Sequence, residues 1–188
     1  MSFLSNLLSS TNDALPEFNN LDEGIIFLMR YLRPYSEGLV DYEFYLKKRW
    51  MEVRDDIEFQ EAVLHVFKEQ GEYLHIIDGD VGQGNWEHDL EGIVLQFAGE
   101  HELFELVFLN ENFFILKKHG NHDSKGYKSP YLFLVSERFL ISKKIPKNTE
   151  WPDFLAIMYE FYKDNSNYKA IVFLVLLLIL VVALFSVI

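Results

Sequence analysis

From Ala170 to Ile188 nineteen residues run with Ser186 as the only polar side chain. At about 1.5 Å of helical rise per residue the stretch is just long enough for a bilayer core of roughly 30 Å. It is too long and too uniformly apolar for a surface element of a small domain, so the fold has to be built from the residues before it. Residues 168–188 are therefore expected to form one C-terminal transmembrane helix, a tail anchor centred on Ala170, Leu176, Leu180 and Phe185. The anchor has no small-xxx-small pattern and no charge, which suits a tether better than a channel element.

Charge gives that anchor an expected orientation. Residues 1–111 carry 23 acidic and 7 basic side chains, whereas 112–188 carry 6 acidic and 10 basic. Lys143, Lys144, Lys147, Lys163 and Lys169 lie on the near side of the apolar run, where positive charge is retained in the cytoplasm. The N-terminus lacks a basic n-region and does not read as a secretory signal. The expected location is the inner membrane, single-pass, with the N-terminal domain cytoplasmic. A body with net charge −12 is repelled by phosphates, so nucleic acid is not an expected partner. The chain has no cysteine, which removes disulfides, thiolate metal sites and a cysteine nucleophile.

Residues 1–20 are polar and Asn/Ser-rich, a loose lead-in. Residues 21–34 follow as an amphipathic helix: Asn20 supplies an N-cap, Leu21, Ile25, Leu28 and Leu32 fall on one face, and Pro34 stops it. That face either packs on the following domain or docks on a partner, with Ile25 and Leu28 as the partner-facing candidates.

From Tyr42 to 145 the period changes to alternation and aromatic and β-branched residues rise. Strands are predicted over Phe44–Val53, Tyr73–Ile77, Leu90–Phe97, Leu103–Leu109, Phe113–Lys118 and Tyr131–Val135. Residues 59–68 fit either a strand or a helix. Turns are predicted at Asp78-Gly79-Asp80, at Gly82-Gln83-Gly84-Asn85 and at Asn110-Glu111-Asn112. Lys143–Asn148 reads as a basic connector, and 149–163 as a second amphipathic helix with Phe154 and Met158 on its apolar face, further candidates to face a partner. Asp164-Asn165-Ser166-Asn167 then forms a short hinge. The fold class is mainly β, an antiparallel up-and-down barrel or sandwich with flanking helices.

The succession Val63-Leu64-His65-Val66-Phe67-Lys68-Glu69-Gln70-Gly71, then Gly84-Asn85-Trp86, then Leu106 to Lys118 resembles small bacterial lipocalin-like domains over about residues 49–144. The resemblance implies a compact calyx. It also implies a role in holding small hydrophobic molecules, although Gly84-x-Trp86 lies mid-domain rather than on the first strand as in that family. Trp50, Phe67, Trp86, Phe108 and Phe114 are the residues expected to form the barrel core or line its cavity.

Sites of chemistry are sparse. His119-x-x-His122-Asp123 could place two imidazoles and a carboxylate on one metal ion, but a solvated loop is the simpler account. Asp78, Asp80, Glu87 and Asp89 lack EF-hand spacing. Gly79-x-x-Gly82-x-Gly84 lacks the helix and lysine of a phosphate-binding loop. No serine sits in a nucleophile elbow. No catalytic activity, cofactor or bound metal is expected. The function expected is a non-enzymatic accessory or scaffold subunit that presents its β domain to a larger inner-membrane complex, a translocase, transporter or secretion apparatus. The alternative is a membrane-tethered binder or sensor of an apolar small molecule or lipid.

Overall fold

Alternation of inward and outward side chains, repeated over eight short segments, closes on itself. The computed structural model describes residues 15–55, 61–89, 92–120, 129–163 and 176–177. Its strands are β1 Arg49–Val53, β2 Val63–Phe67, β3 Glu72–Ile77, β4 Asp80–Asp89, β5 Gly92–Phe97, β6 Glu100–Leu109, β7 Phe113–Lys118 and β8 Tyr131–Ser136. Each pairs antiparallel with the next, and β8 returns to β1 through Trp50↔Ser136 and Val53↔Phe133. The last ladder makes the sheet a barrel and not a sandwich, and it removes both sheet edges. The ambiguous segment 59–68 is resolved as strand where it is described, over Val63–Phe67.

The chain divides into two compact units, 17–154 and a second made of 1–16 and 155–188. The first holds the barrel with two helices, α1 Leu21–Leu32 and α2 Glu137–Lys143. In α1 the Asn20 side chain accepts from the Glu23 backbone N–H at 2.9 Å, the predicted N-cap. Leu21, Ile25, Leu28 and Leu32 are all buried, and the helix packs on β6. Ile25 and Leu28 thus spend their apolar surface inside the chain's own fold, and the packing alternative describes them. Residues 151–163 form a further helix, α3. Phe154 belongs to the first unit and Met158 to the second, and both side chains are buried.

Two local predictions are corrected. The predicted strand from Phe44 starts only at Arg49, because Tyr42–Phe44 is a 3-10 turn and Lys47 adopts a left-handed conformation at φ 57°. That turn carries Tyr45 into the end of the barrel. Gly82-Gln83-Gly84-Asn85 is not a turn but the middle of β4. Its glycines face inward, where a Cβ on Gly84 would come within 2.3 Å of the Gln96 carbonyl oxygen and one on Gly82 within 2.7 Å of the Phe97 ring. Close approach, not chain reversal, is what requires glycine there. The basic connector is irregular from Lys144 onward, and α2, which the sequence does not announce, precedes it and is capped by Lys144 in the left-handed conformation.

Among the described residues no helix is long and apolar enough to cross a membrane. Of the anchor candidates, Leu176 is helical and exposed, while Ala170, Leu180 and Phe185 lie outside the described residues.

The barrel wall is unequal. On β7 and β8 Phe113–Leu116 and Phe133–Ser136 are buried on both faces. Phe108 joins the outer layer of this wall, and Phe113 packs there against Phe133 and Phe139 at ring distances of 6.3 and 5.3 Å. The outer face of β4, from Val81 through Gln83, Asn85 and Glu87 to Asp89, is exposed throughout. Such a strand, solvated on one side, reads as weak in sequence although it is ten residues long.

Candidate functional site

The meander places the connections β2–β3, β4–β5 and β6–β7 at one end of the barrel and β1–β2, β3–β4, β5–β6 and β7–β8 at the other. The two halves of the interior differ in chemistry. The first is plugged. Tyr45, Trp50, Phe67, Trp86 and Phe114 meet there with ring centroids 5.4 to 6.1 Å apart. Their polar atoms are satisfied: the Tyr45 hydroxyl donates to the Leu39 carbonyl at 3.0 Å, Trp50 Nε1 to the Tyr45 carbonyl at 3.1 Å and Trp86 Nε1 to the Lys68 carbonyl at 2.8 Å. Four of the five predicted core residues, Trp50, Phe67, Trp86 and Phe114, form this plug. Phe108 does not, because the β-bulge between Leu106 and Phe108 turns it to the outer wall.

The other half holds a cavity of about 310 Å³. Its lining departs from an apolar calyx: Glu52, His65, Tyr73, His75, Glu102 and Lys118 share it with Leu95, Phe97, Phe104, Tyr131 and Leu132. The register explains how they converge. Trp50 lies opposite His65 on the β1–β2 ladder, so Glu52, two residues on, faces the same interior. His65 lies opposite His75 on β2–β3, and His75 opposite Gly82 on β3–β4. Gly82 leaves room for the Phe97 ring to stand edge-on to His75, at 4.9 Å.

Within this lining Glu52, His65 and His75 form a cluster whose ligand-type atoms all lie within 4.8 Å of one another. His65 Nε2 is 3.1 Å from Glu52 Oε2, and His65 Nδ1 is 2.6 Å from the Tyr73 hydroxyl. Arg54 Nε holds the other carboxylate oxygen, Oε1, at 3.1 Å. Burial pushes the Glu52 carboxyl up, but the hydrogen bond with His65 and the charges of His65, Arg54 and His75 outweigh it and leave it below its ordinary value. Burial, reinforced by His65 and Arg54 against the opposing pull of Glu52, pushes His75 down to about 4. Its imidazole is neutral at physiological pH and keeps a nitrogen lone pair. Across the cavity Lys118 Nζ pairs with Glu102 Oε1. Burial, together with Asp22, raises Tyr131 above the ordinary tyrosine value.

The loop candidates for metal fall elsewhere. His119 is exposed, with Nδ1 2.7 Å from Glu105 Oε1, and His122 and Asp123 lie outside the described residues. Asp80 and Asp89 stand at opposite ends of β4, about 30 Å apart at ~3.3 Å per residue, so the acidic set does not surround one ion.

Fold and site together define a class: a closed eight-stranded up-and-down barrel, plugged at one end and carrying a mixed polar and aromatic cavity at the other. Comparison with protein-family models, with curated proteins and with solved structures gives no match to this chain.

Proposed function

We propose that this protein is a binding barrel of lipocalin-like type, which takes a small molecule with both an apolar face and a polar or charged group into the open half of its interior. The supporting observation is the division of that interior. A barrel that served only as a rigid body would gain by filling both halves with aromatic side chains, as it fills the plugged one. Instead Glu52, His65, His75, Glu102 and Lys118 are turned inward around about 310 Å³ of space. Ionisable groups are costly to place there, and they recur in ligand pockets, which span ~300–1,000 Å³ and combine apolar walls with a few placed polar groups. The ligand class is accordingly more polar than the apolar molecule or lipid of the alternative that the sequence offers to a scaffold subunit. The apolar run 170–188 supports membrane tethering of the barrel, with the acidic domain on the cytoplasmic side.

Native mass spectrometry of the full chain, released from mild detergent, tests the reading. The expected result is a retained organic adduct of at most a few hundred daltons, lost in Leu132→Trp, which fills the cavity. A folded wild-type chain with no adduct, and with no thermal shift across a library of small amphipathic acids and bases, would remove it.

The second reading is an accessory subunit of a larger membrane complex. Its support is a surface groove at the plugged end, lined by Phe44, Lys47, Lys48, Arg138 and Ile141, where Ile141 stands 70% exposed. Stoichiometric co-purification lost on Ile141→Glu would favour it.

A further inference from the structure

We propose that Glu52, His65 and His75 form a binding site for one divalent first-row cation of the zinc class, set in the wall of the open cavity. Three features of the cluster carry this. The donor set is two imidazoles and one carboxylate, which suits borderline divalent ions and, with three protein ligands, leaves a coordination position for a donor from the cavity. The donors come from three consecutive strands of a closed barrel, so the ladder holds their backbones, and an ion adds to a frame that is already built. Finally, the surroundings orient the donors. Arg54 grips Glu52 Oε1 and leaves Oε2 directed at His65, while the Tyr73 hydroxyl meets His65 Nδ1 and leaves Nε2 facing the carboxylate. A hydrogen-bonded outer partner on the far nitrogen of a ligating histidine is the usual arrangement around bound zinc.

The alternative is a buried His–Glu hydrogen bond that only satisfies two polar side chains. It accounts for His65 and Glu52 but not for His75. Neither nitrogen of His75 is hydrogen-bonded to a described residue, and its neighbours His65, Tyr73 and Phe97 meet it through their rings. An imidazole kept in a cavity without such a partner is what a metal ligand looks like before the ion arrives. The geometry is close to that required. A tetrahedral ion with bonds of ~2.0–2.1 Å separates its donors by roughly 3.3 Å, so the His65–Glu52 edge at 3.1 Å already fits. No donor spacing exceeds 4.8 Å, so the widest has to close by at most about 1.5 Å, within reach of side-chain rotation at His75.

The inference builds on the binding-barrel reading, since the ion would contribute one wall of the same cavity, but the two are tested separately. Full-length chain in mild detergent, stripped with a chelator, is titrated with Co²⁺ and followed by its visible ligand-field absorption, then with Zn²⁺ in competition. The expected result is one Co²⁺ per chain with a four-coordinate spectrum, displaced by Zn²⁺. His75→Gln should weaken binding by at least tenfold while leaving the far-ultraviolet circular dichroism unchanged, and Tyr73→Phe should weaken it about ten- to a hundredfold, as expected when an outer partner is lost. Binding that is unchanged in folded His75→Gln, or that is lost instead in a His119→Ala/His122→Ala variant, would overturn the proposal. So would a six-coordinate spectrum that no cavity substitution alters. A chain that takes up no Co²⁺ yet retains an organic adduct would sink the metal site alone, and a chain that binds Co²⁺ yet takes no organic molecule would sink the binding-barrel reading alone.

Discussion

The Tyr73 hydroxyl lies 2.6 Å from His65 Nδ1, between two side chains that are both buried in the barrel wall. Tyr73 is also part of the plug, its ring 5.5 Å from that of Phe67, so one residue joins the apolar half of the interior to the polar one. Replacing it with phenylalanine keeps the ring and strips the hydroxyl from a buried nitrogen. Tyr73→Phe is expected to cost about 1–3 kcal/mol, the penalty for a buried polar group left without its partner. Chemical denaturation of chelator-treated protein measures it, and a midpoint equal to wild type would mean that the histidine finds water or turns to another partner.

Acid should weaken the fold from mildly acidic pH downward. In the folded chain His75 titrates at about 4, against an ordinary value of 6.5, so between these values the unfolded chain binds the extra proton. The stability that depends on a neutral His75 is therefore complete above 6.5 and is lost progressively as pH falls toward 4. Glu52 acts in the same direction over a lower range, since its folded value lies below 4.5: its contribution is present above 4.5 and disappears as pH falls through the folded value. Denaturation midpoints of the metal-free chain taken from pH 7 to 4 should show the first loss, and His75→Gln should flatten it. A slope unaltered by His75→Gln would place the proton elsewhere.

Much of the barrel was legible because half of its wall is buried on both sides or alternates cleanly. Phe113–Lys118 was placed to the residue, since four consecutive buried apolar side chains sit between a turn and two lysines. β4 is not legible because a strand exposed outside and glycine-lined inside lacks apolar alternation and has Val81 as its one β-branched residue. The candidate site was hidden by one unresolved choice. Had 59–68 been taken as a strand paired across Glu69–Gly71, His65 and His75 would have fallen opposite one another and Glu52 one strand away. His119 and His122 stand out in the sequence instead, because nearness along the chain is visible there and cross-strand register is not.

The glycines should rank by what their added Cβ would strike. At Gly92 it would lie 1.9 Å from the Phe104 carbonyl oxygen, which is backbone and cannot yield without spreading β5 from β6. At Gly82 it would meet the Phe97 ring at 2.7 Å, and that ring can swing into the cavity. Gly92→Ala is thus expected to cost ~3 kcal/mol or to prevent folding, and Gly82→Ala ~1 kcal/mol or less, the two ends of the range for overpacked sites. Thermal melts of both variants check the order. Equal losses would mean that Phe97 is as firmly held as the backbone.

The plug predicts a wide gap between two substitutions at Tyr45. Its side chain is fully buried against Phe67, Trp86 and Phe114, while its hydroxyl donates to Leu39 and burial, with Tyr42 beside it, pushes its ionisation above the ordinary tyrosine range. Tyr45→Phe keeps the ring contacts and leaves the Leu39 carbonyl without this donor, at a cost of about 1 kcal/mol. Tyr45→Ala opens a cavity among the rings of Phe67, Trp86 and Phe114 and should cost about 3–5 kcal/mol, as large-to-small changes in aromatic cores do. The hydrogen bond from Trp50 Nε1 ends on the Tyr45 backbone carbonyl, so it survives in both variants and does not blur the comparison. Denaturant midpoints of the two variants separate the ring from the hydroxyl. If Tyr45→Ala lost no more than Tyr45→Phe, the 3-10 segment would be a strap lying over the barrel end rather than the plug that fills it.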